Sequence, residues 1–140
     1  MDRWWNVVVP EDAQEVELPG DGRARNDLAA RLHRLEHGAL VAVVGDQAGS
    51  WWGMRVLLGR AGLRLEREYL ALPGLDSPGY LVEADHASFR HFFSQLLYMP
   101  SGGWVKVSQA RLLARVASMP VLWRVGAWLA PSRLAIARRA

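Results

Sequence analysis

Cysteine is absent from this 140-residue chain, which excludes disulfides, thiolate metal sites and a cysteine nucleophile. Long apolar runs are also missing: no window reaches the roughly 18 uncharged residues that a spanning helix needs, so no transmembrane segment is expected. The opening residues, MDRWWNVVVPED, lack a basic stretch followed by an apolar core. No secretory signal is read there, and the expected location is the cytoplasm. Lysine occurs once, at Lys106, and acidic residues stop at Asp85.

What is present is a hydrophobic fraction of 51%, enough to bury a core and incompatible with a disordered chain. The length suits a single domain. The net charge of +3 hides a polarised chain, with 14 acidic and 9 basic side chains in residues 1–85 against 8 basic and none acidic in 86–140. Such asymmetry points to a basic segment that meets a polyanion or an acidic surface. The arginine bias suits phosphate recognition, although a GC-rich genome produces the same bias.

Patterning predicts alternating strands and helices. WWNVVV (4–9) and QEVEL (14–18) read as short strands, PGDGRAR (19–25) as a loop, and NDLAARLHRLEHG as a helix. That helix is capped by Asn26 or Asp27, buried along Leu28, Leu32 and Leu35, and ended by Gly38. ALVAVVG (39–45) is the continuous apolar run of a central parallel strand. Ser50 is expected to cap a second helix whose inner face is Trp51, Met54, Leu57, Leu58 and Ala61, with Gly62 closing it. LRLEREYLAL (63–72) and GYLVEA (79–84) follow as strands. Asp85 then caps a helix carrying Phe89, Phe92, Phe93, Leu96 and Leu97, stopped by Pro100-Ser101-Gly102-Gly103. The last 37 residues read as short helices broken at Pro120 and Pro131. The expected organisation is an α/β domain over residues 1–103 and a basic, Trp-containing helical tail over 104–140.

A strand passing through glycines into a helix is a common phosphate cradle, so Gly45-Asp46-Gln47-Ala48-Gly49-Ser50 is a natural place to look. A P-loop needs lysine and Ser/Thr after its second glycine, whereas Ser50 is followed by Trp51-Trp52. The dinucleotide fingerprint needs a third glycine, and Asp46 opposes an anion. The stretch reads as a tight βα turn.

DLAARLHRLEHGALVAVVGD, then WWGMRVLLGRAGLRLEREYLALP, then GYLVEAD resembles the C-terminal half of class I S-adenosylmethionine-dependent methyltransferases. In that family a helix ending L-x-R-x-L-x-x-GG leads into a late strand. A helix ending LL-x-x-AGF and an antiparallel strand pair then close the sheet. Leu32 to Gly38, Leu57 to Leu63 and the pair near 64–84 follow this order, with Ala39 and Leu63 departing from the usual glycine and phenylalanine. The resemblance implies a small, partial Rossmann-like sheet with flanking helices. The family holds its cofactor on a glycine-rich loop after the first strand and an acidic residue ending the second. The 25 residues before Asn26 are too few for those units, so the resemblance implies half a fold, without a cofactor or catalytic residues to carry over.

His33-Arg34-Leu35-Glu36-His37 matches the H-x-x-E-H pattern of inverted zinc proteases. On a continuous helix His33 and His37 would face one way, opposite the leucine stripe, so they are weak metal candidates and a solvent face is expected instead. Glu66 and Glu68 alternate with Leu65 and Arg67, which reads as the solvent face of a strand.

The tail carries the strongest functional pattern. Arginines stand beside Trp and Leu with no acidic residue, the composition of a helix lying in a membrane interface. The apolar run MPVLWRVGAWLAP is too short and too interrupted to span. The contact residues read from this pattern are Arg111, Arg115, Trp123, Arg124, Trp128 and Arg133. Nucleic acid is disfavoured because no recognition motif accompanies the arginines. The expectation is a non-catalytic accessory or scaffold subunit, a methyltransferase-like pseudoenzyme. It would be peripheral to the cytoplasmic membrane, docked on an integral-membrane protein complex or an anionic lipid surface. The alternative is a small methyltransferase-like transferase that completes its active site with a second subunit.

Overall fold

The computed structural model describes residues 7–47, 49–72, 80–96, 115, 119–129 and 132–140. They form five strands and four helices: β1 (Gln14–Glu17), α1 (Gly22–His33), β2 (Leu40–Asp46), α2 (Ser50–Ala61), β3 (Leu63–Leu72), β4 (Tyr80–Glu83), α3 (His86–Leu96), α4 (Leu122–Leu129) and β5 (Ser132–Arg139). The strands make one sheet in the order β1-β2-β5-β3-β4. β1 and β2 are parallel, while β5 runs antiparallel to both β2 and β3, and β4 antiparallel to β3. The α/β class read from composition and patterning is therefore the class of the fold.

Local chemistry fixes most element ends. α2 stops at Gly62, whose left-handed φ of 65° returns its N–H to the carbonyls of Leu58 and Gly59, a conformation that glycine adopts without a Cβ penalty. α3 is capped by Asp85, which accepts from the Ser88 N–H at 2.9 Å and the Ser88 hydroxyl at 2.6 Å. β2 is the buried apolar run expected, with Val41, Ala42 and Val43 fully excluded from solvent.

Several boundaries differ from the sequence reading. α1 starts at Gly22, not near Asn26, because the Asp21 carboxylate accepts the Ala24 N–H at 3.0 Å and caps the helix at least five residues before the expected Asn26 or Asp27. It ends at His33, before Gly38. Gly49, in the left-handed region at φ 79°, takes the N-cap position of α2, and Ser50 is the first helical residue. Residues 7–9 form a turn, not a strand. The expected Trp4 and Trp5 part of that strand, the side chains of Phe93 and Leu96, Leu97 and the stop at Pro100–Gly103 lie outside the described residues.

The largest correction concerns the C-terminus. Residues 132–139 are a strand in the middle of the sheet, where a helix was expected. Leu134, Ala135, Ile136 and Ala137 are buried on both faces, so no polar alternation betrays the strand. The tail's last segment thus completes the sheet that residues 14–83 begin.

The core has two sides. Val16, Leu28, Leu32, Val41, Val43, Met54, Leu57, Ala135 and Ala137 pack together beneath α1 and α2. On the other face Val9, Ala42, Val44, Tyr69, Leu134 and Ile136 form a second cluster. Leu70, Val82 and Phe89 join Ala127 where α3 and α4 cover β3 and β4. Among the described residues no helix is long and apolar enough to cross a membrane.

Candidate functional site

Antiparallel insertion of β5 brings its amino end beside the carboxyl ends of β2 and β3. Ser132 pairs with Asp46, and Arg133 lies between Gly45 and Leu70. The crevice outside the carboxyl ends of parallel strands is the usual ligand position in open α/β sheets. Here the first turns of α2 and the body of α4 wall it, enclosing a cavity of about 240 Å³ lined by Trp51, Arg55, Glu68, Ala84, Trp123, Arg124, Ala127, Trp128 and Arg133.

The floor is an ion-pair network. Arg133 is fully buried and donates from Nη1 to Glu68 Oε1 at 2.7 Å, while Arg55 of α2 donates from Nη2 to Oε2 of the same carboxylate at 2.7 Å. Arg133 Nη2 also donates to the Ala127 and Trp128 carbonyls in the last turn of α4. One side chain of β5 therefore ties the end of α4 to β3. Burial lowers the Arg133 pKa from its ordinary value, and the attraction and hydrogen bond of Glu68 act against that shift.

Glu68 was expected on the solvent face, and a β-bulge explains why it is buried. Leu65 pairs with Ala137 but Arg67 pairs with Ile136, so Glu66 is an extra residue. Past an extra residue the side-chain alternation inverts. Glu68 and Leu70 then share the face of Leu65, and only Glu66 stays at the surface, where Arg138 holds it at 2.6 Å.

The walls are aromatic. Trp51 meets Trp128 edge-on at 6.1 Å, and Phe89 and His86 support Trp123 at 5.7 and 6.1 Å. The Arg55 guanidinium lies 5.5 Å from the Trp51 ring centre and that of Arg124 lies 5.8 Å from Trp123, within cation–π range. α4 also turns a face to solvent. Leu122, Val125 and the cavity-lining Trp128 are exposed, as are Met119 and Val121 before the helix and Trp52 of α2.

Four of the six contact residues read from the sequence, Trp123, Arg124, Trp128 and Arg133, thus gather around one cavity. Arg133 is a correction: it is 0% exposed and engaged with Glu68, so it is no surface contact. Arg115 is exposed, and Arg111 lies outside the described residues. Trp51, Arg55 and Glu68 were missed as partners because their proximity to α4 depends on where β5 enters the sheet.

The metal candidates do not converge. α1 ends at His33, so His37 falls in a turn beyond it and the two imidazoles do not share a helix face. His33 Nδ1 instead lies 3.3 Å from the Ala61 carbonyl. Among the described residues no group of three or more His, Asp or Glu is placed to hold a metal. The glycine-containing loop after β1 is contacted by side chains of the chain itself at Pro19 and Gly20. Arg25 donates to the Pro19 carbonyl at 3.1 Å, and a Cβ on Gly20 would meet the Gln47 amide oxygen at 2.6 Å.

Comparison with known proteins finds no family model, no curated protein and no solved structure that matches the chain.

Proposed function

We propose that the chain is a non-catalytic accessory subunit that docks, through α4, on the cytoplasmic face of a membrane at an integral-membrane protein complex. The observation that carries this reading is the solvent-facing ridge of Val121, Leu122, Val125 and Trp128. A short helix that packs Ala127 inward and still exposes a Trp, a Leu and a Val, with a further exposed Val just before it, has apolar surface left for a partner. Arg124 lies on the same helix and is exposed, and the sequence after Asp85 carries no acidic residue to oppose anionic headgroups. Trp128 and Trp52 are the amphipathic rings that settle at membrane–water boundaries.

The test is gentle-detergent isolation of the tagged full-length chain from its own cells, comparing wild type with Leu122→Glu and Val125→Glu. Both positions are exposed, so the variants should keep the wild-type circular dichroism while losing stoichiometric integral-membrane partners. Unchanged partner recovery in both variants would refute the docking face.

The β1-α1-β2-α2-β3 course, closed by antiparallel strands, supports a second reading. In it the chain is half of a methyltransferase-like fold whose active site is completed by a second subunit. Saturable S-adenosylmethionine binding by the isolated complex, and not by the chain alone, is the outcome that reading requires.

A further inference from the structure

The described residues around the cavity between α2, α4 and β3 carry more positive than negative charge. Three arginines, Arg55, Arg124 and the buried Arg133, line it together with one acidic residue, Glu68. Glu68 divides its two oxygens between Arg133 and Arg55, so among the described lining residues three cationic side chains stand against one anionic one. Excess positive charge in a partly desolvated pocket favours an anionic occupant, and a guanidinium fork matches a carboxylate bidentately.

An inorganic anion would make no use of the walls. The indoles of Trp51, Trp123 and Trp128 present flat apolar surfaces next to those guanidiniums, and such faces favour stacking or edge contact with another flat ring. The cavity volume of about 240 Å³ lies below the roughly 300–1,000 Å³ typical of drug-sized ligands, which restricts the occupant to one or two fused rings. Its position, at the carboxyl edge of β2 and β3, is where α/β sheets hold ligands.

We propose that this cavity binds a small planar organic anion, an aromatic or heteroaromatic carboxylate. Its carboxylate meets Arg55 and Arg124 at the rim, and its ring lies against the indoles. Arg133 and Glu68 form the floor and fix the positions of α4 and α2 around the ligand. The site shares Trp128 and Arg124 with the docking ridge but is distinguished from it by Leu122 and Val125, which do not line the cavity.

The test uses the full-length purified chain without lipid or detergent. 1-Naphthoate is titrated by calorimetry and by the indole N–H signals of a nitrogen-15-labelled sample. 1-Naphthamide serves as the uncharged control and acetate as the control without a ring. Saturable naphthoate binding is expected, shifting the indole signals that vanish in Trp51→Phe and Trp123→Phe, with both controls at least about tenfold weaker. Arg124→Gln, at an exposed position, should weaken naphthoate by about tenfold with an unchanged melting curve; Arg55→Gln should do the same if its fold is intact. No saturable shift at about 10 mM naphthoate, equal binding of the amide, or full affinity in Arg124→Gln would each overturn the proposal.

Discussion

Arg133 on β5 and Glu68 on β3 are joined at 2.7 Å inside the protein, with the arginine side chain fully excluded from solvent and the carboxylate 8% exposed. Removing one partner of such a pair leaves a buried charge without compensation, typically costing about 3–5 kcal/mol. Glu68→Gln is therefore expected to lower the urea midpoint sharply, because the buried Arg133 loses its carboxylate partner while still donating to the Ala127 and Trp128 carbonyls. Replacing both ends with apolar residues of similar size, Glu68→Leu with Arg133→Met, should recover much of that loss. A double variant as unstable as Glu68→Gln would show that the α4 carbonyl contacts matter more than the ion pair.

Two glycines three residues apart should respond to alanine in opposite senses. Gly62 holds φ 65°, and a Cβ there would meet Arg139 Nη1 at 2.6 Å, whereas a Cβ on Gly59 meets nothing within 4 Å. Gly62→Ala is expected to cost about 1–2 kcal/mol from the left-handed backbone. Gly59→Ala, in the body of α2, should gain about 0.5–1 kcal/mol. Thermal unfolding of the two variants checks the sign of each.

The ease of reading these elements from the sequence follows from how local their determinants are. β3 matched its predicted bounds, 63–72, because a continuous β-prone run is delimited by Gly62 and Pro73. Gly62 as the stop of α2 and Asp85 as the cap of α3 depend only on neighbouring backbone. β5 was misread because SRLAIARR carries basic residues at both ends and an apolar centre. That pattern fits an amphipathic helix until both faces are known to be covered. Arg133 looked like a surface residue for the same reason, since its partner Glu68 is 65 positions away. Glu68 in turn was misplaced by the bulge at Glu66, which no local residue preference announces. The candidate site was half legible: its aromatic and basic residues on α4 stood out by composition. The α2 and β3 contributions appear only once β5 is inserted between β2 and β3.

Asp85 links stability to pH. Its carboxyl accepts the Ser88 hydroxyl and N–H, and these bonds to the charged form lower its pKa from the ordinary 3.8. A group depressed in the folded state contributes stability above its unfolded pKa and loses it as pH falls through the folded value. The contribution of Asp85 is therefore complete at neutral pH and disappears below pH 3.8. Asp85→Ala should cost about 1 kcal/mol at pH 7 through loss of the cap. Asp85→Asn should keep most of the cap, because asparagine also accepts from the helix N–H groups, while flattening the acid limb of the stability profile. Equal acid sensitivity of Asp85→Asn and wild type would assign that limb to other carboxylates.

Ending the chain before Ser132 should unfold it, although residues 104–140 looked separable by composition. β5 pairs with β2 from Leu40 to Asp46 and with β3 from Leu63 to Leu70. Without it the sheet is cut between β2 and β3, leaving two unpaired interior edges. Leu134 and Ile136 are 0% and 3% exposed, and burying each contributes about 1.5–3 kcal/mol. Adding the lost ladder bonds at about 1 kcal/mol each exceeds the roughly 5–15 kcal/mol that stabilises a domain. The expected result is loss of the cooperative thermal transition and of dispersed amide signals. Supplying residues 131–140 as a peptide should restore both where the truncated chain remains in solution. A truncated chain that still melts cooperatively would mean that β1-β2 and β3-β4 are stable without the strand that joins them.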